Sequence, residues 1–221
     1  MYRLLMEHFG PQGWWPGETS EEHLAGCVLA QNTRWDRVEP VIQRLKDMGI
    51  LYEYRLLDVP SEELAALLRG SGTYRRKAEY LRAVWAYMAE LDWDGTPGSV
   101  SLDTDSLRGG LLSIKGVGPE TADCILLYVL GRPVFVVDAY TRRILSRHGL
   151  CSEKATYPQI QELFHDALDP DAEVFKEFHA LLVACAKHFC RPVPKCGGCP
   201  LRYQGFIPYI PAPCAEGCRS G

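Results

Sequence analysis

No apolar run in this 221-residue chain approaches the roughly 20 residues that a membrane-spanning helix requires. Nothing alternates apolar and polar residues for long enough to build a sheet, which excludes sandwiches and barrels. There is no internal repeat and no low-complexity tract, so a solenoid is excluded too. An overall excess of positive charge is also missing. The net charge is −4, which argues against indiscriminate binding of polyanions and makes the distribution of charge the informative quantity. The first residues, Met1–Phe9, carry Glu7 and His8 inside their apolar stretch and lack a small-residue cleavage site. They are expected to form an amphipathic first helix rather than a signal peptide, in a protein of the cytoplasm.

What is present is helical signal throughout. Thr19-Ser-Glu-Glu22 is a capping-box pattern ahead of an apolar helix over 24–30, and 37–48 has apolar residues at 38, 41, 42, 45 and 48. Further helices are expected over 60–68, 74–91, 104–113, 119–130, 139–148, 156–168 and 172–188. The fold class is therefore all-α. A hydrophobic content of 47% is enough for a sizeable core at this length. The expected organisation is a central helical lobe over 20–130 and a second lobe made of 1–19 with 131–221.

Charge is segregated along the chain. Arg75-Arg76-Lys77 follows a flexible Gly-Ser-Gly turn, Arg142, Arg143 and Arg147 cluster later, and 185–202 holds Lys187, Arg191, Lys195 and Arg202 with no acid. Glu162, Asp166, Asp169, Asp171, Glu173 and Glu177 crowd one stretch between them. A basic face with an acidic back fits this pattern, although each run alone reads equally as a solvated surface.

The richest stretch is Leu112-Ser-Ile-Lys-Gly-Val-Gly-Pro-Glu-Thr-Ala-Asp123. It reads as two helices joined by a Gly-x-Gly turn. Gly116 and Gly118 let a backbone partner approach closely, and Pro119 suits a first helical turn. Backbone N–H groups exposed at such a turn bind anions, DNA phosphate among them. Beyond it, the apolar run Pro133–Val137 ends at Asp138, which opens a helix from Ala139. Asp138 is either a simple N-cap or a carboxylate presented for chemistry.

Nine cysteines are unevenly placed. Cys27, Cys124, Cys151 and Cys185 lie scattered in mostly apolar helical contexts and are expected to be buried thiols. Cys190-x5-Cys196-x2-Cys199 follows a helix, with Pro192, Pro194, Gly197, Gly198 and Pro200 around the thiols. Thiolates select Zn²⁺ or an iron–sulfur cluster. Structural zinc commonly uses two separated Cys-x2-Cys pairs, so three crowded thiolates with a fourth to follow favour [4Fe–4S]. The fourth ligand must come from beyond an insertion: Cys214 is preferred over Cys218, placing the cluster loop at 190–218. Trp14, Trp15 and Pro16 lie outside any helix, and Trp35 follows the end of the second helix. These tryptophans either pack internally or form a stacking platform for a base.

Taken together, the hairpin, Asp138 and the cysteine loop resemble the endonuclease III, or helix-hairpin-helix, superfamily of DNA glycosylases. The resemblance runs from Trp14 to Cys199. It implies a two-lobed fold with a groove between the lobes, Asp138 as the catalytic carboxylate, and DNA contacts through Lys115, Gly116, Val117, Gly118 and Thr121. It places Gln31 in the gap left by an extruded nucleotide, and Thr73 and Tyr74 in the loop that wedges the duplex. The family's cluster loop has six, two and five residues between cysteines, whereas the first gap here is five and the last ligand is displaced. Trp-Trp-Pro followed by Ala30-Gln-Asn-Thr33 is similar to the 3-methyladenine branch, in which these aromatics line the base pocket. Endonuclease III uses a lysine two residues after the second hairpin glycine as a Schiff-base nucleophile. Here that position is Glu120. The implied activity is a monofunctional glycosylase acting, as a monomer, on double-stranded DNA that contains a damaged base, with an alkylated purine as the substrate the branch resemblance points to. A bifunctional glycosylase and lyase for oxidised pyrimidines is the alternative, and a non-catalytic lesion-binding protein the third reading.

Overall fold

The computed structural model describes residues 1–202, and every regular element among them is helical. The α-helices are α1 (Tyr2–Phe9), α2 (Ser20–Leu29), α3 (Trp35–Asp47), α4 (Ser61–Leu67), α5 (Tyr74–Glu90), α6 (Thr104–Ser113), α7 (Pro119–Cys124), α8 (Ala139–Arg147), α9 (Tyr157–Ala167) and α10 (Ala172–His188). The described chain divides into two compact units. One is Pro16–Arg132; the other joins Met1–Trp15 to the residues from Pro133 onward. No helix of the described residues is long and apolar enough to cross a membrane.

In the Pro16–Arg132 unit, α2 packs on α3, α5 and the segment after α7. That segment, Ile125–Val129, is a π-helical turn and not the continuation of one α-helix through residue 130. All five of its residues are buried, and its ladder shows the wider spacing, with Leu130 N–H bonded to Ile125 O at 3.0 Å. The expected capping box at Thr19 is half formed. Thr19 Oγ1 accepts the Glu22 amide, but the Glu22 carboxylate turns to Lys46 at 3.0 Å and to the Glu18 amide. A complete capping box occurs at Thr156 and Gln159, where the sequence reading found none.

In the other unit, α10 packs against α1 and α8. Its core gathers Phe135, Phe164, Phe175 and Phe178, with the Phe135 and Phe164 rings stacked at 3.6 Å. The run Val134–Val137 is buried yet belongs to no helix or strand. Buried backbone must still find partners, and here side chains of α9 supply them. Phe135 N–H donates to His165 Nε2 at 2.9 Å, Gln161 Nε2 donates to Phe135 O at 2.7 Å, and Val137 N–H donates to the Tyr157 hydroxyl at 3.3 Å. Asp138 stands at the end of this clamped segment.

Candidate active site

The Gly-x-Gly turn joins α6 to α7. Arg108 on α6 grips Asp123 on α7, Nε to Oδ1 at 2.7 Å and Nη2 to Oδ2 at 3.2 Å, and the carboxylate is fully buried. This fork fixes the two helices that flank the turn. Gly116 has φ +90°, and a Cβ there would come within 2.4 Å of the Tyr80 ring. Gly116→Ala therefore meets strain and a steric clash together, and the hairpin should shift. The expected cost is about 1–3 kcal/mol in stability, with weakened duplex binding, read by thermal melting and by fluorescence anisotropy on a labelled duplex.

Of the residues expected to contact DNA, Lys115, Gly116 and Gly118 are exposed, and no side chain caps the start of α7. Val117 is different: its side chain is buried and its N–H bonds Ile114 O, so it anchors the turn from inside. Thr121 is buried, and Gln31 Nε2 donates both to its hydroxyl at 3.0 Å and to Gly116 O at 3.1 Å. Gln31, Gly116 and Thr121 are thus brought together, with the Gln31 amide bracing the hairpin.

Thr73 is exposed at the start of α5, and Tyr74 is half-buried beside the Arg75 guanidinium. Lys77 does not belong to that basic run's exposed face. It is buried, because helical spacing puts it on the stripe of Leu81, Val84, Trp85 and Met88. Its ammonium donates to Leu29 O at 2.7 Å, Ser71 O at 2.5 Å and Thr33 Oγ1 at 2.7 Å. It ties the turn that carries Gln31 to the loop that carries Thr73. Burial pushes its pKa down to about 8, so it remains protonated at neutral pH.

Asp138 is the N-cap of α8. Its Oδ1 accepts the Thr141 amide at 2.7 Å, while Oδ2 lies 3.6 Å from Nε2 of His179 on α10. Burial alone would push this carboxyl up. The His179 ring, together with the amide and hydroxyl of Thr141, outweighs burial and holds the carboxyl below its usual range. About 14% of the side chain is exposed, which leaves the carboxylate reachable. The capping bond and the His179 contact are therefore made by different oxygens. Nothing in the sequence marked His179, which lies between Phe178 and Ala180 on a buried stripe and reads as core.

In the same unit, Trp14 and Trp15 are half-buried, their rings edge to face with centroids 5.7 Å apart. The Lys187 ammonium lies 5.1 Å from the Trp14 ring centroid. Pro16 and Trp35, also half-buried, belong to the Pro16–Arg132 unit, where Trp35 opens α3.

Cys190, Cys196 and Cys199 are half-buried in the loop after α10. The arginines expected on a basic face hold this loop and its neighbour instead. Arg143 Nε donates to Cys190 O at 2.6 Å, Arg147 donates to Arg191 O at 2.6 Å and Pro192 O at 2.9 Å, and Arg142 donates to Ala155 O. Arg147 Nη1 also lies 3.4 Å from Cys190 Sγ. Cys185, expected to be an isolated buried thiol, hydrogen-bonds Cys199: the contact pushes the Cys185 thiol up and draws Cys199 down. Cys151 is half-buried rather than buried. Cys214 and Cys218 lie outside the described residues. Among the described residues, no three His, Cys, Asp or Glu side chains gather around a single metal-ion position. The donor set is nonetheless all thiol, with a guanidinium beside it, and this suits an anionic iron–sulfur cluster in its chemistry.

A family model described as HhH-GPD superfamily base excision DNA repair protein matches residues 25–170. The chain is 45% identical over 204 residues to the putative DNA repair glycosylase MJ1434 of Methanocaldococcus jannaschii, covering 91% of this chain and 92% of that one. It is 27% identical over 181 residues to endonuclease III of Sulfolobus acidocaldarius, covering 81% and 78%. Among solved structures, a trapped endonuclease III–DNA covalent intermediate matches with a TM-score of 0.75 at 22% identity, covering 91% of both chains. The 3-methyladenine DNA glycosylase MagIII of H. pylori, bound to 1,N6-ethenoadenine, matches with a TM-score of 0.67 at 27% identity, covering 83% and 91%.

Proposed function

Because the chain belongs to the HhH-GPD superfamily of base excision DNA repair proteins, we propose that it binds double-stranded DNA and hydrolyses the glycosidic bond of an extruded, damaged base. It is a DNA glycosylase of that superfamily. The finer reading is a monofunctional enzyme, working as a monomer, whose preferred substrate is an alkylated purine. The observation that carries it is the partly exposed Asp138 carboxylate, held ionised at a helix N-terminus by the Thr141 amide and the His179 ring.

As the bond breaks, its electron pair leaves with the base and the sugar becomes an oxocarbenium ion. An ionised Asp138 stabilises that cation and orients water, which adds to C1′ and gives up its proton to bulk water. A purine alkylated on its ring nitrogen is already cationic and departs as a neutral base. The reaction then needs no general acid, which agrees with a site built on one carboxylate. Trp14 and Trp15 would stack against such a base, a cation–π term of about 0.5–2 kcal/mol. Lys115, Gly116, Gly118 and Thr121 would hold the phosphate backbone, with Gln31, Thr73 and Tyr74 at the distorted duplex. MagIII, the relative bound to ethenoadenine, lends support to a purine substrate.

Monofunctionality rests on Glu120. It is exposed at the position where endonuclease III carries its nucleophilic lysine, and a carboxylate cannot form an imine. The alternative bifunctional reading would use another amine, and Lys115 is the exposed candidate on the same turn. A lesion panel of 3-methyladenine, thymine glycol, uracil and mismatches, assayed with and without alkali, separates base release from strand cutting. The expected result is release of the alkylated purine, strand breaks only after alkali, and no borohydride-trapped adduct with abasic DNA. An adduct lost in Lys115→Ala would establish the bifunctional reading instead. A full panel without any base released would leave a lesion-binding protein.

The loop thiols Cys190, Cys196 and Cys199 are assigned to a [4Fe–4S] cluster. When bound, it would supply a rigid core for a loop too small to make its own, presenting Arg191, Lys195 and Arg202 toward the DNA backbone.

A further inference from the structure

We propose that Cys185, a buried residue of α10 outside the loop, is the fourth thiol of this site. With Cys190, Cys196 and Cys199 it forms a set that needs no ligand from beyond residue 199. The inference rests on the cluster reading above and departs from the family spacing, in which every ligand after the first lies further along the loop.

Three observations carry it. The Cys185 thiol is fully buried, yet it hydrogen-bonds the Cys199 thiol, so the helix residue and the last loop cysteine already meet. The Cys185 carbonyl accepts the amides of Phe189 at 2.8 Å and Cys190 at 3.0 Å, so the loop leaves the helix from this residue. The loop then folds back, with the Lys195 amide on Phe189 O at 2.8 Å, and this returns Cys196 and Cys199 toward the helix end. A cubane binds each thiolate through a different iron at a different corner. Its ligands therefore surround a volume, and convergence on one ion position is not required. A ligand already held in a helix also adds no loop-closure cost, whereas Cys214 or Cys218 must bring a long connection with it. Arg147 beside Cys190 offsets the negative charge that four thiolates bring to the site.

The test is made on the full chain, purified without oxygen, in three forms: wild type, Cys185→Ser, and the double variant Cys214→Ser with Cys218→Ser. Iron and acid-labile sulfide are counted, and the visible absorption of the cluster and its electron paramagnetic resonance are recorded. Circular dichroism reports whether each form is folded. The wild type and the double variant are expected to hold about four irons per chain. Cys185→Ser is expected to lose at least one iron per chain, or all of them, while remaining helical. The double variant changes no residue of α1–α10, so its iron content decides the point even if Cys185→Ser misfolds. Loss of iron in the double variant, or a full complement in folded Cys185→Ser, would overturn the assignment and leave the cluster reading standing. A wild type with no iron would overturn the cluster reading itself, and this assignment with it.

Discussion

Asp138→Asn should abolish detectable base release, lowering the single-turnover rate by about 10²–10³-fold or more, the scale of losing a charge aimed at the transition state. The variant is chosen because asparagine caps a helix about as well as aspartate. The Thr141 amide keeps its acceptor, α8 keeps its start, and the melting temperature should move little. A rate loss without a stability loss assigns Asp138 to chemistry. Unchanged release on every lesion would reduce it to a cap. The pH profile gives the same residue a second reading. Its carboxyl is held below the usual range, so the carboxylate persists as pH falls and is lost only when pH passes below that depressed value. The acid limb owed to Asp138 should therefore lie below about pH 4, the ordinary aspartate value. Any stability it contributes follows the same sign: present above the unfolded-state value and lost on descending through the folded one. In His179→Asn the ring that lies 3.6 Å from Oδ2 is gone while burial remains. The acid limb should then move upward, a change that a merely structural histidine would not produce.

The largest loss of stability is expected from Lys77→Met. Methionine fills most of the same space but donates nothing, which leaves Leu29 O and Ser71 O without the buried ammonium between them. Leaving a buried acceptor unpaired typically costs about 1–3 kcal/mol, so the two carbonyls together correspond to roughly 4–24 °C in melting temperature for a chain of this size. Measured by denaturant unfolding, the loss should come with weaker discrimination between lesion-containing and intact duplex, because the turn of Gln31 and the loop of Thr73 are no longer tied together. A change under about 1 kcal/mol would show that backbone packing alone holds the two loops. Because burial lowers its pKa to about 8, the desolvation penalty of Lys77 is fully present below pH 8 and fades as pH rises toward its unfolded value.

Helix positions were legible because they depend on local pattern. The expected starts at 74, 104, 119, 139 and 172 are the observed starts of α5, α6, α7, α8 and α10. The Gly-x-Gly turn was legible for the same reason, since the positive φ of Gly116 and the close Tyr80 ring require glycine there. What escaped were partnerships across the sequence. Lys77 looked like the third charge of a basic run, and only packing shows that its stripe faces the core. Arg143 and Arg147 looked like a DNA-facing cluster, and their donors go to carbonyls of the cysteine loop. His179 and Cys185 looked like ordinary buried residues of an apolar helix. Each gains meaning only from the atom it faces, Asp138 Oδ2 and Cys199 Sγ. No periodicity encodes those contacts.

The buried run before Asp138 has one more consequence. Tyr157, Gln161 and His165 are spaced four apart along one stripe of α9, and they engage the backbone of Val137 and Phe135 at fixed rungs. The helix thereby acts as a ruler laid beside the chain. Adding or deleting one residue between 133 and 138 would slip every rung, turn Phe135 out of its stack and carry the carboxylate to the wrong side of the segment. The length of this stretch is as much a part of the proposed site as the aspartate at its end.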